Sequence, residues 1–274
     1  MYQFPIGVIL ESFKLSRSEA IKAAANLGAK GIQMYATTGE NSPENLSQAD
    51  RKALLDEVKG SGLVFSALCG DLGMGFGHKE KNPELIEKSK RIVELAKDLE
   101  TDIITTHIGV VPSDPNHDRY KIMQEACFEL ANFADSMNAH FAIETGPETS
   151  IVLKEFLDTL NSTGVAVNLD PANLVMCMGD DPVKAVYNLK DYIVHTHAKD
   201  GIMLKPGHPE YIENVRDYKE LPLGLGGVDF PAYLKALEDI GYRGYLTIER
   251  EVGENPAKDI ATAVDFLKKT IKEA

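Results

Sequence analysis

Short apolar runs alternate with amphipathic stretches from one end of the chain to the other. Residues 5–11, 30–35, 63–69, 102–107, 141–145, 165–170, 191–197 and 244–249 read as short buried strands. Between them, apolar residues recur at helical spacing over 17–27, 47–60, 82–99, 117–138, 149–160, 181–189, 229–240 and 256–272. Local signals support several boundaries. Gly28 stops the first helix, Ser47 opens the second with Asp50 at the capping-box distance, and Pro83 sits in the first turn of the third. Eight strands and eight helices in strict alternation predict a parallel sheet with crossover helices. The expected fold is α/β, a single (β/α)8 barrel over residues 1–274. An open doubly wound sheet is the alternative. The connection 199–227 carries little periodicity, and a loop of that length over a barrel mouth is often a lid or substrate loop.

Composition narrows the partners. The chain has 274 residues, 43% hydrophobic and 26% charged, which is ordinary for a globular protein. Its net charge of −13 argues against a nucleic-acid partner, because such binding draws on clustered Lys and Arg. No apolar run reaches the roughly 18–20 residues of a membrane span, so no membrane partner is expected. No signal-peptide pattern is evident at the start. Cys69, Cys127 and Cys177 are odd in number and far apart. These features lead to the expectation of a cytoplasmic protein with reduced thiols.

Four of the strands end in a residue able to hold a divalent metal: Glu144, Asp170, His197 and Glu249, spaced 26, 27 and 52 residues apart. A closed barrel brings the carboxyl ends of distant strands to one mouth. Three carboxylates and an imidazole gathered there suit Mn²⁺, Mg²⁺ or Zn²⁺. Side chains two apart share a strand face, so His195 and His197 point together, as do Asn168 and Asp170. The apolar partners Ile143 and Ile248 turn Glu144 and Glu249 inward, where a carboxylate must be paired or bind metal. The plain alternative is a set of rim ion pairs.

Other candidates are weaker. His107 ends the fourth strand, as a second metal ligand, a substrate hydrogen-bond donor (the first choice) or a core histidine. Glu11, Gln33 and Tyr35 also fall at strand ends, with roles that could be structural. Glu148 is a candidate substrate contact or a helix-capping charge. Lys199 could stabilise a developing oxyanion, orient a metal-ligating carboxylate, or stand exposed at a loop start. The glycine-rich segment 70–77 reads as a flexible mouth loop with Phe76 over the substrate. The amides of 224–227 offer a weak phosphate site. No nucleotide fingerprint, P-loop, nucleophile elbow or Cys-x-x-Cys pair is present, so no nucleotide cofactor is expected.

The run Val194-His195-Thr196-His197-Ala198-Lys199-Asp200 resembles a signature of the xylose isomerase-like TIM-barrel superfamily. Matching segments begin at Ala142, Asn168, Pro222 and Gly241. The group comprises sugar phosphate isomerases and epimerases, with ketose 3-epimerases and inosose-processing enzymes among its members. The resemblance spans essentially the whole chain and implies one divalent metal on Glu144, Asp170, His197 and Glu249. Mn²⁺ is the first choice, with Mg²⁺, Co²⁺ or Zn²⁺ as alternatives. It also implies Glu144 and Glu249 as an acid/base pair that moves a proton next to a carbonyl through a metal-stabilised enediolate. The implied partner is a small carbohydrate, in a monomer or homo-oligomer. A dehydratase or lyase on a keto-sugar or inosose is the runner-up, and a non-catalytic sugar-binding barrel comes third. Asn173 stands where several members carry histidine; it can hydrogen-bond a substrate hydroxyl but not act as acid or base. Leu225 stands where a polar or acidic residue is common. Specificity is expected in loops 70–77, 110–116 and 200–227.

Overall fold

The computed structural model describes residues 2–213, 215 and 217–273. Eight parallel strands close into a barrel: β1 (Ile6–Ile9), β2 (Gly31–Tyr35), β3 (Val64–Cys69), β4 (Ile103–Thr106), β5 (His140–Glu144), β6 (Val165–Leu169), β7 (Ile193–Ala198) and β10 (Leu246–Ile248). The last of these closes the ring on the first, with Ile6 opposite Leu246 and Val8 opposite Ile248. Helices α1 (Arg17–Asn26), α2 (Gln48–Gly60), α3 (Asn82–Asp98), α4 (Asp118–Ser136), α5 (Ser150–Asp158), α7 (Pro182–Asn188), α8 (Phe230–Asp239) and α9 (Pro256–Glu273) follow the strands. The expected strands and helices are therefore all present, with their ends moved by a few residues. The first and last strands are shortened most, the first because Leu10–Phe13 winds into a 3-10 turn.

Local chemistry explains many of these ends. Ser47 and Asp50 form the reciprocal capping box at the start of α2. Asp181 and Asp229 cap α7 and α8 with their carboxylates, each followed by a proline in the first turn. The strands bury apolar outer faces against the helices, in one continuous core that includes Val8, Ile32, Leu68, Ile104, Ile143, Val167 and Ile248.

The barrel interior is polar at the mouth. Two irregularities lie there: the pairing register shifts between Ile32 and Gln33 on β2, and between Val167 and Asn168 on β6. Bulges of this kind re-aim side chains and gather next to functional sites. Gly7 makes room for the same layer, since a Cβ there would lie 2.7 Å from Thr247 Oγ1.

Two elements lie outside the expected alternation. A short turn α6 (Pro171–Asn173) follows β6 directly and widens into the π-helical turn Leu174–Met178. Within the long connection, β8 (Asp200–Met203) pairs antiparallel with β9 (Tyr218–Leu221). The Asp200 carboxylate accepts hydrogen bonds from the amides of Gly201, Gly224, Gly226 and Val228, at 2.9, 2.9, 2.9 and 3.1 Å. The glycine-rich amides are thus occupied by a side chain of the protein itself, which removes them as a phosphate cradle. Phe76 also departs from expectation: it is buried and packs edge-on against Phe141 at 5.9 Å, so it anchors its loop and does not cover the mouth.

Candidate active site

Glu144, Asp170, His197 and Glu249 converge at the barrel mouth, each offering one ligand atom, and those atoms lie within 4.8 Å of one another. They come from the ends of β5, β6, β7 and β10, and all four are buried. His197 Nδ1 lies 3.1 Å from Glu249 Oε2, 3.5 Å from Glu144 Oε1 and 3.7 Å from Asp170 Oδ2.

Each member is held by partners outside the cluster. His197 Nε2 donates to Gln33 Oε1 at 3.1 Å, and the Gln33 amide is itself fixed by donating to Thr105 Oγ1 at 3.1 Å. That bond places a proton on Nε2 and turns Nδ1 toward the carboxylates. Asp170 divides its oxygens. Oδ1 caps the turn after β6 by accepting from Ala172 and Asn173 amides at 2.8 and 3.0 Å, and Oδ2 has no hydrogen-bond partner. Glu144 accepts from Asn168 Nδ2 at 3.0 Å and from Asn173 Nδ2 at 3.1 Å. Asn168 is oriented in turn by His195, whose Nδ1 donates to Asn168 Oδ1 at 2.9 Å while Thr247 Oγ1 donates to its Nε2 at 2.9 Å. Glu249 Oε2 forms charge pairs with Lys199 Nζ at 3.2 Å and His197 Nδ1 at 3.1 Å.

The electrostatics follow from this crowding. Burial pushes the carboxyls of Glu144 and Glu249 up, but the His107 and His197 imidazoles beside the first, and Lys199 and His197 beside the second, outweigh it and hold both below the usual range. Asp170, the most enclosed, is held above its ordinary value by burial. Burial works against a charge on His197, but the surrounding carboxylates prevail and raise it well above its usual value. His195 goes the other way: burial and the neighbouring His197 keep it neutral, as its hydrogen bonds require.

Above the cluster lies a cavity of about 260 Å³, lined among others by Tyr35, Thr37, Cys69, Asp71, His107 and Asn173. This is below the roughly 300–1,000 Å³ of drug-sized sites and suits a small polar molecule. His107 stands on its wall with Nε2 3.5 Å from Glu144 Oε1, and Nδ1 3.1 Å from Asp71 Oδ2. Glu144 foremost, then Asp71, raises its pKa to about 9 against the effect of burial. Asn173 spends its amide hydrogens on Glu144 and Thr145 O and keeps only its oxygen for anything else. Lys199 is 4% exposed, with its ammonium spread over Glu249, Glu251 at 2.8 Å and Asp170 at 4.0 Å. Glu148 does not reach this wall among the described residues. It is buried behind it, accepting from the Val111 amide at 3.3 Å.

Sequence reasoning left Gln33 without a role and did not select Asp71. The strand-end position was the available signal for Gln33; nothing in the sequence marks Asp71 as the partner of a residue 36 positions away. The loops 110–116 and 200–227 supply no lining residue among the described ones, whereas loop 70–77 does through Asp71 and the connection after β2 through Thr37.

A family model for the xylose isomerase-like TIM barrel matches residues 21–270, and the chain belongs to that family. It is 23% identical over 287 residues to the L-ribulose-5-phosphate 3-epimerase UlaE of Escherichia coli K12, covering 99% of this chain and 96% of that one. A xylose isomerase domain protein from Planctomyces limnophilus superposes with a TM-score of 0.83 at 26% identity, over 99% of this chain and 98% of the other. The D-psicose 3-epimerase of Clostridium cellulolyticum H10 superposes with a TM-score of 0.74 at 15% identity, over 98% and 99% of the two chains. This last likeness is one of fold alone.

Proposed function

We propose that this chain is a divalent-metal-dependent epimerase or isomerase of a sugar or sugar phosphate. It would move a proton on a carbon next to a carbonyl, with Glu144 and Glu249 as the acid/base pair. The observation that carries the reading is the set of four buried ligand atoms within 4.8 Å, in which Asp170 Oδ2 lacks a hydrogen-bond partner and Glu249 Oε2 is held only by charge pairs to His197 and Lys199. Buried polar atoms left without a partner are costly unless something absent from the protein chain satisfies them. The charges agree in sign: three carboxylates crowd one imidazole, and the cations beside them, Lys199 and His107, are shared with Glu251 and Asp71. The residues present therefore fit the ion, with Glu144, Asp170, His197 and Glu249 as its holders. Their mixed carboxylate and imidazole donors accept Mn²⁺, Mg²⁺, Co²⁺ or Zn²⁺; the family resemblance makes Mn²⁺ the first choice.

When bound, the ion supplies Lewis-acid polarisation of the substrate carbonyl, which acidifies the neighbouring C–H. The protein does the rest. Glu144 and Glu249 arrive from β5 and β10, so a substrate carbon between them meets one carboxylate on each face. One takes the proton and the other returns it to the opposite face, which inverts the centre. Asn168 and Asn173 fix the first carboxylate, and Lys199 faces the second. His107 is positioned to donate from Nε2 to a substrate oxygen.

The first test is metal content by mass spectrometry on protein purified without chelator, beside a folded His197→Ala/Glu249→Gln variant. About one equivalent in the natural protein, lost in the variant, supports the reading. Absence of metal, with no Mn²⁺ uptake on titration, overturns it. A screen for C–H exchange in D₂O over ketoses and ketose phosphates then tests the reaction.

A further inference from the structure

Beside the inner cavity lies a second chamber of about 850 Å³, and the two share Thr37 and Asp71 as a common wall. Its other walls are the connection 36–44 after β2, the turn 71–74 after β3, and one stripe of α3. It has more than three times the volume of the inner cavity, so one small sugar leaves it empty.

Its charge is balanced. Glu44, Asp71 and Glu84 face Lys81, Lys88 and Arg91. Most of these are spent on neighbours: Arg91 lies 3.5 Å from Glu44, Lys88 2.6 Å from Glu84, and Asp71 3.1 Å from His107. A phosphate brings nearly two negative charges and is recognised by a surplus of cations or by converging amides. Three carboxylates against three cations leave this lining no net positive charge, Lys81 being the one described lining cation outside those pairs, and of the turn amides that of Gly73 is spent on Asp71 Oδ1 at 2.8 Å. Leu72 and the 43%-exposed Met74 offer apolar surface next to the hydroxyls of Thr37 and Thr38. That combination suits a sugar ring, with an apolar C–H face and a polar edge.

We propose that the outer chamber is a subsite for an uncharged second sugar ring, so that the substrate is a glycosylated keto-sugar and not a sugar phosphate. The inference rests on the epimerase reading, with the reacting ring in the inner cavity.

Three ligands that share one ketose test it: D-fructose, D-fructose 6-phosphate and isomaltulose, which carries a glucosyl ring on the same oxygen as the phosphate. Binding is measured by calorimetry on the Mn²⁺-loaded protein, and C–H exchange in D₂O by NMR. Isomaltulose is expected to bind about tenfold or more tighter than either other ligand, with affinity unchanged by added salt. Thr38→Trp places a large ring in the chamber from an exposed position and is expected to abolish that preference. Equal binding of fructose and isomaltulose, tighter binding of the phosphate, or a preference that survives Thr38→Trp would overturn the subsite. Preferential isomaltulose binding without proton exchange in any ligand would overturn the epimerase reading and leave the subsite standing.

Discussion

At the scale of single residues, the site is a set of groups aimed by named partners: Gln33 for His197, Asn168 and Asn173 for Glu144, two amides for Asp170 and Lys199 for Glu249. On the proposed assignment, Glu249→Gln keeps the shape and removes the base. Exchange in D₂O is expected to fall by about 10²–10⁴, with circular dichroism unchanged; substantial residual exchange would remove Glu249 from the role. Gln33→Leu deletes the acceptor that fixes the His197 ring. Partners of this kind typically carry a 10–100-fold effect on metal affinity, and a Mn²⁺ titration followed by fluorescence or calorimetry reads it. Glu148 offers a pH test away from the cluster. Burial pushes its carboxyl up to about 7 against the Val111 amide bond and the His107 charge. Because the folded value lies above the unfolded one, its favourable contribution is complete below about pH 4.5 and is lost as pH rises through about 7. Glu148→Gln retains an acceptor for Val111. Its melting temperature is expected to match the natural protein's in acid and exceed it above pH 7, by an amount equivalent to about 3 kcal/mol. Parallel melting curves from pH 5 to 9 would contradict this.

At the scale of elements, the barrel strands and their helices were legible because each strand is a short apolar run and each helix carries its own start or stop signal. The four clustered residues were legible for a related reason: a polar residue closing an apolar strand has nowhere to point but the mouth. Gln33 was harder to see, because an amide at a strand end carries no charge to betray its function. The β8–β9 hairpin was hidden more thoroughly. Its strands are four residues each, 14 residues lie between them, and Tyr218–Leu221 is mostly polar and partly exposed. Besides the backbone pairing of its strands, Asp200 ties the segment after β9 to β8, its carboxylate gathering the amides of Gly201, Gly224, Gly226 and Val228. Asp200→Ala leaves those donors without an acceptor. The expected loss is about 3 kcal/mol or more, with hydrogen exchange quickening first at 224–228. Uniform protection there would mean that the hairpin is secured elsewhere, for instance by Arg250, which bridges Glu220 at 2.6 Å and Asp259 at 2.9 Å.

At the scale of the molecule, the proposed ion acts on stability as well as chemistry. It joins four strands, β5, β6, β7 and β10, that are spread around half the barrel order. A ligand that binds only the closed barrel adds about 2.7 kcal/mol at a hundredfold excess over its dissociation constant. Mn²⁺ is therefore expected to raise the melting temperature of the natural protein and not that of His197→Ala, in a chelated buffer titrated with the metal. Equal response in both would place the ion at another site.

The position of Glu249 on β10 also orders events in time. During synthesis, Glu144, Asp170 and His197 leave the ribosome well before the strand that completes their set, 52 residues after the histidine. Until β10 docks between β7 and β1, a nascent chain holds three of the four groups and an open seam. On the proposed metal reading, capture would belong to the end of folding: the ion would latch a barrel already shut and would not gather the strands that form it.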